Sequence, residues 1–366
     1  MKTIAYLGID YHLHSLTIAM MEEGKHKIKD VIRIKNDDKV ILKYMKKLVK
    51  NYEIRSCYEA SSSGYYFQRK MNEWGYHCDV IAPSLVPKKP GERRKNDFRD
   101  ARDLVRNYAS GLLTVVHPPS EEEESVRSLI RCRLALKETL KIAKQQINGL
   151  LLTQGIHWAG TKWTLKHKRW LLQLQLSHEA SQKVLLEHIG HLEYLESRIK
   201  YLDKEIEQIA ATEIYAPSVK KLRCFKGIGT LTAMLLIAEI TDFRRFPNPR
   251  ALMAFLGLLP SENSSGDKQG GGPITKAGNT RCRKHLIESV QHYVKKPYIS
   301  AQMKDELSRI DPQHANIAIN CMKRLNKRYW ALTMKGKIRP VALTAIAREF
   351  VGFIWAMMRP VQTETV

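Results

Sequence analysis

The chain has 366 residues, of which 43% are hydrophobic, so it can bury a sizeable core, and an intrinsically disordered protein is excluded. Sixty-one Lys and Arg against 37 Asp and Glu give a formal net charge of +24, which predicts a polyanionic partner: nucleic acid first, an acidic membrane surface second. The six cysteines form no CxxC pair, which argues against a zinc ribbon or a disulfide framework. We find neither a secretory signal nor a run of about 18 apolar residues, and we therefore expect a cytoplasmic protein without a membrane partner.

The N-terminal residues carry alternating strand and helix patterns. TIAYLGID, residues 3–10, indicates a buried strand that ends at an acid, and two further strands follow, joined by a turn at Glu23 and Gly24. A helix over about 39–50, the strand IRSCYEA, a helix near 64–73 and the strand CDVIA come next. This order predicts an α/β ribonuclease-H-like domain over residues 1–116.

The middle of the chain, residues 117–217, has a helical pattern. Its later apolar residues repeat at alternating spacings of four and three: Leu195, Ile199, Leu202, Ile206 and Ile209. This is the spacing of a coiled-coil seam, and it predicts a hairpin of two long antiparallel helices. The expected tip, WAGTKWTLKHKRW at residues 158–170, interleaves three tryptophans with cations. Such a segment either stacks on unpaired bases or closes a helical hairpin, and the sequence leaves both open.

The last part, residues 218–366, is expected to be a mainly helical domain. KLRCFKGIGTLTAMLLIAEI, residues 221–240, predicts a helix, a Gly-Ile-Gly turn and a second helix. Gly227 and Gly229 would expose backbone amides to a phosphate at a helix N-terminus, or would only permit a tight turn between helices. Lys and Arg without any acid between residues 312 and 348 make this region strongly basic.

A serine- and glycine-rich stretch, PSENSSGDKQGGGPITKAGN, occupies residues 260–279 and is expected to form a loop. Glycines let the backbone approach a ligand, and Lys276, Arg281 and Arg283 offer charge to a phosphodiester. Ser264 and Ser265 would then be candidate nucleophiles. A flexible polar linker is the other interpretation.

Acids end two of the predicted strands: Asp10 ends the first and Glu59 the fourth, so the two carboxylates would lie side by side in a sheet with the first strand central. Asp97 and Asp100 are three residues apart and share one face of a predicted helix. Four converging carboxylates repel one another unless divalent cations neutralise them, so we expect Mg²⁺, in a two-ion site for phosphoryl transfer. His12 is interpreted as a surface-turn residue, with a contact to an acid or phosphate as the alternative.

Four stretches, GIDYHLH, YEASSSGY, PSLVPKKPGERRKNDFRDAR and GLLPSENSSGDKQGGGPITKAGN, closely resemble, in matching order, the DEDD-type transposases of bacterial insertion sequences, family one-hundred-ten, now called bridge recombinases. The resemblance implies a RuvC-like domain, a coiled coil that mediates dimer contacts and a C-terminal transposase domain. It implies that the four metal-binding acids are Asp10, Glu59, Asp97 and Asp100. It also implies that Ser265, five residues after a proline and just before a glycine, is the nucleophile.

The resemblance extends to partners. It implies that a structured noncoding RNA, encoded by the element itself, pairs with donor and target DNA, and that strands are exchanged through a phosphoserine ester. In the related recombinases the acids and the serine at one cleavage site come from different protomers, so we expect a homodimer or homotetramer. The expected nucleic-acid contacts, with a solvated basic loop or a plain helix turn as alternatives, are Lys276, Asn279, Arg281, Gly227 and Gly229.

Three functions therefore compete at this point. The first is an RNA-guided DNA recombinase, associated with the nucleoid when bound to DNA. The second is a metal-dependent DNA nuclease or Holliday-junction resolvase that acts by hydrolysis, for which Ser265 has no use. The third is a non-catalytic nucleic-acid binder, which the acid set argues against because it would weaken binding to DNA. We expect the first.

Overall fold

The structure is a computed structural model that describes residues 2–60, 63–83, 86, 96–265 and 268–359, with the backbone alone for 262–265 and 268–271. The chain divides into two units, residues 1–119 and 120–366. The division lies close to the predicted boundary at residue 116. The helical hairpin and the C-terminal residues, predicted as separate domains, belong together to the second unit.

The first unit alternates strands and helices in the order that the sequence predicts through its fifth strand. Its elements are β1 (Thr3–Tyr11), β2 (Ser15–Glu22), β3 (Ile28–Lys35), α1 (Asp38–Val49), β4 (Tyr52–Glu59), α2 (Tyr66–Glu73), β5 (His77–Ile81), α3 (Asp97–Ala109) and β6 (Val115–Val116). The two-residue strand β6 is an addition that the sequence pattern did not indicate.

The strands form one mixed sheet in the order β3-β2-β1-β4-β5-β6. The central strand β1 runs antiparallel to β2 and parallel to β4, and β4 runs parallel to β5. A parallel pair needs a crossover connection, and α1 and α2 supply the two crossovers of this sheet. The arrangement is compatible with a ribonuclease-H-like domain.

Helices cover both faces of this sheet. On one face α1 buries Ile41, Met45 and Leu48 against the strands, as the spacing of these residues predicts. On the other face α3 lies directly on β1, because Gly8 has no side chain. A Cβ atom at Gly8 would lie 2.5 Å from the backbone nitrogen of Val105.

The second unit is mainly helical. Its described elements are α4 (Glu121–Thr153), α5 (Leu165–Gln173), α6 (Glu179–Ala210), α7 (Ala216–Arg223), α8 (Thr230–Ile240), α9 (Pro249–Phe255), β7 (Pro260–Ser265), β8 (Lys268–Ile274), α10 (Thr280–Ser289), α11 (Ala301–Ser308), α12 (Pro312–Met334) and α13 (Arg339–Met358).

Helices α4 and α6 lie antiparallel as a long hairpin. Arg133 near the start of α4 pairs with Asp203 near the end of α6 at 2.7 Å, and Lys144 lies 3.8 Å from Glu196 further along. Four of the five predicted seam residues of α6 are buried, whereas Ile209 is only partly buried. The predicted coiled-coil geometry of the pair stays a prediction. The far part of the hairpin has a hydrophobic core of its own, and the near part shares the core of the C-terminal helices.

Helix α13 is, by length and composition, apolar enough to cross a membrane, although its sequence contains no uninterrupted run of about 18 apolar residues. Its apolar side chains instead pack among the C-terminal helices, where Phe350 and Ile346 are fully buried. Phe350 also contacts the rings of Phe225 and Tyr293. The helix is therefore a core helix of the second unit.

The serine- and glycine-rich stretch is a two-stranded ribbon, and the predicted loop is wrong at this point. Strands β7 and β8 pair antiparallel, and Ser265 lies opposite Lys268 at the ribbon tip. Gly272 lets the strands approach closely, since a Cβ atom there would lie 2.2 Å from Ser261 Oγ. Glycine-rich composition hid the strands, because glycine weakens the strand pattern that side chains provide.

Candidate active site

The candidate site of the first unit begins where β1 and β4 end. Ile9 of β1 pairs with Tyr58 of β4, and the same offset extended by one residue places Asp10 beside Glu59. Residues opposite each other in neighbouring strands point to the same face of the sheet. Both acids are half-buried. The side-by-side arrangement that the sequence predicts for the two strand ends therefore agrees with the register.

Helix α3 brings the other two acids to the same edge. Asn96 caps this helix by accepting a hydrogen bond from the backbone N–H of Phe98 at 3.0 Å, so Asp97 and Asp100 both occupy the first turn. Negative side chains are favoured there by the free N–H groups and the helix dipole. Because α3 packs directly on β1, its first turn lies over Asp10.

Three ligand atoms converge at this point. His12 Nε2 lies 3.1 Å from Asp10 Oδ2 and 3.7 Å from Asp97 Oδ1, and one ligand atom from each residue lies within 4.8 Å of the others. Burial raises the pKa of the Asp10 carboxyl, His12 opposes this rise, and the charges of Asp97 and Asp100 add to it. The acids therefore repel one another within one small site.

The side chains present fit a hard divalent cation. Carboxylate oxygens are the ligands that Mg²⁺ prefers, and a cation among Asp10, Asp97 and Asp100 would relieve their mutual repulsion. His12 joins this set, although the sequence favoured a surface-turn role for it. Its signal was its position two residues after an acid at a strand end, and only the fold shows that the ring turns back toward Asp10.

The predicted nucleophile lies in the second unit. The backbone of Ser265 is described at the tip of the β7–β8 ribbon, whereas the side chains of Ser264 and Ser265 lie outside the described residues. Two backbone hydrogen bonds hold the base of the ribbon together. Thr275 N–H donates to Leu259 C=O at 2.8 Å, and Lys276 N–H donates to Gly257 C=O at 3.1 Å. The role of Ser265 stays a prediction.

The residues that follow the ribbon divide into surface and structural groups. Lys276 and Arg281 are exposed, as a contact with phosphate requires. Asn279 instead caps α10, accepting from Cys282 N–H at 3.0 Å and donating to Glu239 Oε2 at 2.7 Å, so both polar atoms of its amide are engaged inside the protein. Arg283, which the sequence offered to phosphate, is buried and donates to Leu256 C=O at 2.9 Å.

Glu239 connects this turn to the helical hairpin. Its buried carboxylate accepts two hydrogen bonds of 2.7 Å from the Arg131 guanidinium of α4, besides the bond from Asn279. Burial alone would raise the pKa of Glu239, but the hydrogen bonds and charge of Arg131 hold it below its ordinary value. No sequence pattern indicated a role for this residue, which lies inside an apolar helix.

The Gly-Ile-Gly turn lines a pocket of about 420 Å³ at the start of α8. Gly227 has a φ of +88°, and a Cβ atom there would lie 2.4 Å from Ser289 C=O, so the turn itself requires this glycine. Gly229 has an ordinary extended backbone, and no atom of the residues that the structure describes lies within 4 Å of a Cβ atom placed on it. Lys226 also lines the pocket, so a phosphate group would meet a cation there, beside the carboxylate of Glu306.

The tryptophans at the hairpin tip pack against one another. Trp158 and Trp170 lie 5.0 Å apart by ring centroid, and both contact the fully buried ring of His167. Trp163 also contacts that ring, at 5.1 Å. Each of the three indoles is half-buried. The tip is therefore closed by an aromatic cluster, the structural alternative that the sequence left open.

Two family models match the chain, one over most of the first unit and the start of the second, the other within the second unit. A model of DEDD transposases of the IS110 type, described as "Transposase", matches residues 7–155, and one described as "Transposase IS116/IS110/IS902 family" matches residues 219–304. "Putative transposase y4qE" of Sinorhizobium fredii is 34% identical over 364 residues, covering 99% of this chain and 90% of that protein. The chain belongs to the IS110 family of DEDD transposases.

Other transposases of this family match over shorter lengths. The transposase for insertion sequence element IS1533 of Leptospira borgpetersenii is 34% identical, over 70% of this chain and 75% of that protein. The transposase for insertion sequence element IS1328 of Yersinia enterocolitica is 25% identical, over 76% of this chain and 84% of that protein. Membership of a DEDD family implies DNA substrates and divalent metal use, and the acidic cluster around Asp10 is a candidate site for that metal.

Proposed function

We propose that this IS110-family transposase is an RNA-guided DNA recombinase that cuts and rejoins strands through a phosphoserine intermediate. The observation that carries the proposal is the convergence of Asp10, His12 and Asp97 at the end of β1, where the charge of Asp100 also acts on Asp10, in a chain that also presents Ser265 at a ribbon tip. The acids supply a site for phosphoryl transfer, and the serine supplies a nucleophile that a hydrolase does not need.

In this proposal Asp10, Glu59, Asp97 and Asp100 hold Mg²⁺ in a two-ion site. The cations would neutralise charge on the non-bridging oxygens of the reacting phosphate. The protein's own contribution is to fix the four carboxylates: β1 and β4 hold the first two in register, and the capped first turn of α3 holds the others. His12 orients the Asp10 carboxylate through its 3.1 Å contact.

The serine step conserves the energy of the DNA linkage. Ser265 Oγ attacks phosphorus, the Oγ–P bond forms, and the bond from phosphorus to one sugar oxygen breaks. The released sugar hydroxyl carries the proton that the serine gives up. A sugar hydroxyl of the exchanged strand then attacks the phosphoserine, and the serine is restored. No water enters this sequence, so the strand is rejoined and not hydrolysed.

The partners in this proposal are donor DNA, target DNA and a structured noncoding RNA encoded by the element. The net charge of +24 supports binding of several nucleic-acid strands at once. Lys276 and Arg281 are exposed beside the ribbon, and the pocket at Gly227 and Gly229 offers backbone amides to a phosphate. We expect a homodimer or homotetramer that works in the cytoplasm and associates with the nucleoid when bound to DNA.

Hydrolysis is the second candidate, because the acidic cluster alone suffices to activate water. A metal-dependent nuclease or Holliday-junction resolvase would use Asp10, Glu59, Asp97 and Asp100 in the same way and would leave Ser265 without a role. The two functions differ in their products: rejoined strands for the recombinase and free ends for the nuclease.

Reconstitution of strand exchange tests the proposal. Purified protein, donor and target DNA, Mg²⁺ and RNA transcribed from the element's flank would be combined, and junctions between donor and target counted by sequencing. We expect junctions only when RNA is present, and none with Asp10→Asn. Asp103→Asn is the matched control, because Asp103 lies on the same helix and pairs with Arg106 at 3.5 Å, away from the cluster. Equal junction counts without RNA would reject guidance by RNA.

A further inference from the structure

Four polar residues lie in one row across the sheet of the first unit. The backbone register pairs Asp10 of β1 with Thr17 of β2, and Thr17 with Arg33 of β3. Glu59 continues the row on the other side of Asp10. Residues in one such row share a face of the sheet. The row therefore runs from the acid centre to a cation on the outer strand β3.

This face of the sheet is the one that α3 covers. Ala19 and Val31 lie two residues from Thr17 and Arg33 on their strands, so they point the same way, and both belong to the apolar cluster that includes Ala101 of α3. Arg33 therefore projects on the side of the sheet where Asp97 begins α3. Its Nη2 lies 3.7 Å from Asp97 Oδ2.

The Arg33 guanidinium is held along one edge only. Its Nε and Nη2 donate to Ser15 Oγ at 3.3 and 3.1 Å. Ser15 is neutral, and Asp97, the ion-pair partner at 3.7 Å, lies beyond hydrogen-bond distance, so among the described residues the guanidinium forms no charge-assisted hydrogen bond with a carboxylate. Nη1 has no hydrogen-bond partner in the part of the chain that the structure describes, and the side chain is 53% exposed.

Thr17 occupies the place between Asp10 and Arg33. It is fully buried, and its Oγ1 has no hydrogen-bond partner among the described residues. Buried hydroxyls are nearly always paired, so this row holds a buried donor without a described partner next to the acid centre. Because Thr17 is closed off from the surface, an anion from outside would instead meet the Arg33 guanidinium, which is exposed.

We infer that Arg33 binds a non-bridging oxygen of the DNA phosphate that reacts at the acid centre. The inference rests on the proposed use of that centre for strand transfer. An arginine suits this task because its planar fork is always charged and pairs with phosphate oxygens through two N–H groups. Charge developing on those oxygens in the transition state is stabilised by a donor that Ser15 already holds in place.

The experiment measures the cleavage rate at saturating DNA, with Mg²⁺ and the flank RNA. We expect Arg33→Gln to lower the rate by about 100-fold, the usual effect of removing one transition-state donor. Ser15→Ala should lower the cleavage rate less, because the Arg33 guanidinium keeps its charge. Arg55→Gln is the matched control: Arg55 lies in the same sheet, is 47% exposed and pairs with Glu53 at 3.4 Å, and we expect its rate to be unchanged. A wild-type rate for Arg33→Gln would overturn the inference.

A second substrate separates phosphate binding from simple neutralisation of Asp97. DNA with a methylphosphonate at the mapped cleavage position lacks one charged non-bridging oxygen, and its two diastereomers can be tested separately. We expect the effect of Arg33→Gln to vanish on one diastereomer, since the oxygen that Arg33 binds is already missing. An equal effect on natural DNA and on both diastereomers would overturn the inference, because Arg33 would then act without touching that oxygen.

Two further measurements keep the outcomes distinct. Manganese binding, measured by electron paramagnetic resonance, should persist in Arg33→Gln. If Arg33→Gln no longer binds manganese, the methylphosphonate comparison is made with Arg33→Lys, which keeps the positive charge. Asp10→Asn tests the acid centre itself. Loss of cleavage with Asp10→Asn but not with Arg33→Gln leaves the proposed function standing and rejects Arg33, whereas retained cleavage with Asp10→Asn rejects the proposed function.

Discussion

Gly8 and Val105 are in such close contact that a Cβ atom on Gly8 would lie 2.5 Å from the backbone nitrogen of Val105. This contact lets α3 pack directly on β1, and the packing determines the distance between Asp97 and Asp10. The position of the acids therefore depends on a residue that carries no chemistry of its own.

Gly8→Ala is expected to damage the site through the fold. Overpacking at this contact should cost about 1–3 kcal/mol of unfolding free energy and push the first turn of α3 away from Asp10. Chemical denaturation and manganese titration would measure both effects. The control is Gly149→Ala in α4, where no described atom lies within 4 Å of a Cβ atom. We expect this variant to raise the free energy of unfolding by about 0.5–1 kcal/mol. Unchanged manganese affinity in Gly8→Ala would contradict this coupling.

Glu239→Gln is expected to lower the free energy of unfolding of the second unit. Loss of the charge leaves Arg131 with a neutral partner, and hydrogen bonds to charged groups contribute about 1.5–3 kcal/mol. Urea denaturation of wild type and variant measures the difference. Glu138→Gln is the control, because Glu138 forms an exposed pair with Lys284 between α4 and α10, and such pairs contribute little. Equal loss of stability in the two variants would show that burial of Glu239 is irrelevant.

The Glu239 contribution also has a predicted pH dependence. Its pKa is lower in the folded chain than its ordinary value of 4.5. The stabilisation is therefore complete above that value and is lost as the pH falls through the folded pKa. The stability difference between wild type and Glu239→Gln should narrow as the pH is lowered below 4.5. If the stability difference between wild type and Glu239→Gln grew as the pH was lowered, the predicted pH dependence would be contradicted.

Thiol reactivity should be confined to one cysteine. Cys132 is exposed, whereas the other five thiols are buried. Burial raises the pKa of Cys78 to about 12 and that of Cys224 to about 11, so few thiolates form there at neutral pH. Maleimide treatment of the native protein followed by mass spectrometry should find one adduct, and none with Cys132→Ser. Rapid labelling at a second position would contradict the packing around the buried thiols.

The two glycines of the Gly-Ile-Gly turn should behave differently. Gly227→Ala introduces a clash and a strained φ, so it should unfold the turn. Among the described residues no atom lies within 4 Å of a Cβ atom on Gly229, so the stability of Gly229→Ala should be close to that of wild type. If a phosphate approaches Gly229, the added methyl group should weaken DNA binding by about two- to tenfold, the value of one hydrogen bond. Fluorescence anisotropy at fixed salt measures this, and full affinity in Gly229→Ala would assign both glycines to the turn alone.

Local patterns predicted the first unit well because its strands and helices carry regular apolar spacing. The run TIAYLGID gave β1 with its terminal acid, and the spacing of Ile41 and Met45 gave α1. The strand ends and the three-residue spacing of Asp97 and Asp100 marked candidate acids, and these features need only neighbours along the chain. That the four acids form one metal site was implied by the resemblance to the transposase family, not by local pattern.

The features that sequence missed depend on distant neighbours. Arg33 joins Asp10 only through the register of three strands, and no local pattern sets that register. The ribbon around Ser265 was missed because glycines replace the side chains that mark strands. Glu239 was hidden inside an apolar helix, and its partner Arg131 is 108 residues away.

The most direct test of the central claim is the identity of the atom that DNA becomes attached to. Labelled junction DNA would be incubated with protein, Mg²⁺ and flank RNA, separated on a denaturing gel, and the attached peptide identified by mass spectrometry. The account predicts a covalent adduct at Ser265, retained in Ser264→Ala and absent in Ser265→Ala and Asp10→Asn. Free cleaved DNA that persists in Ser265→Ala but disappears in Asp10→Asn would contradict it and make the protein a hydrolytic nuclease.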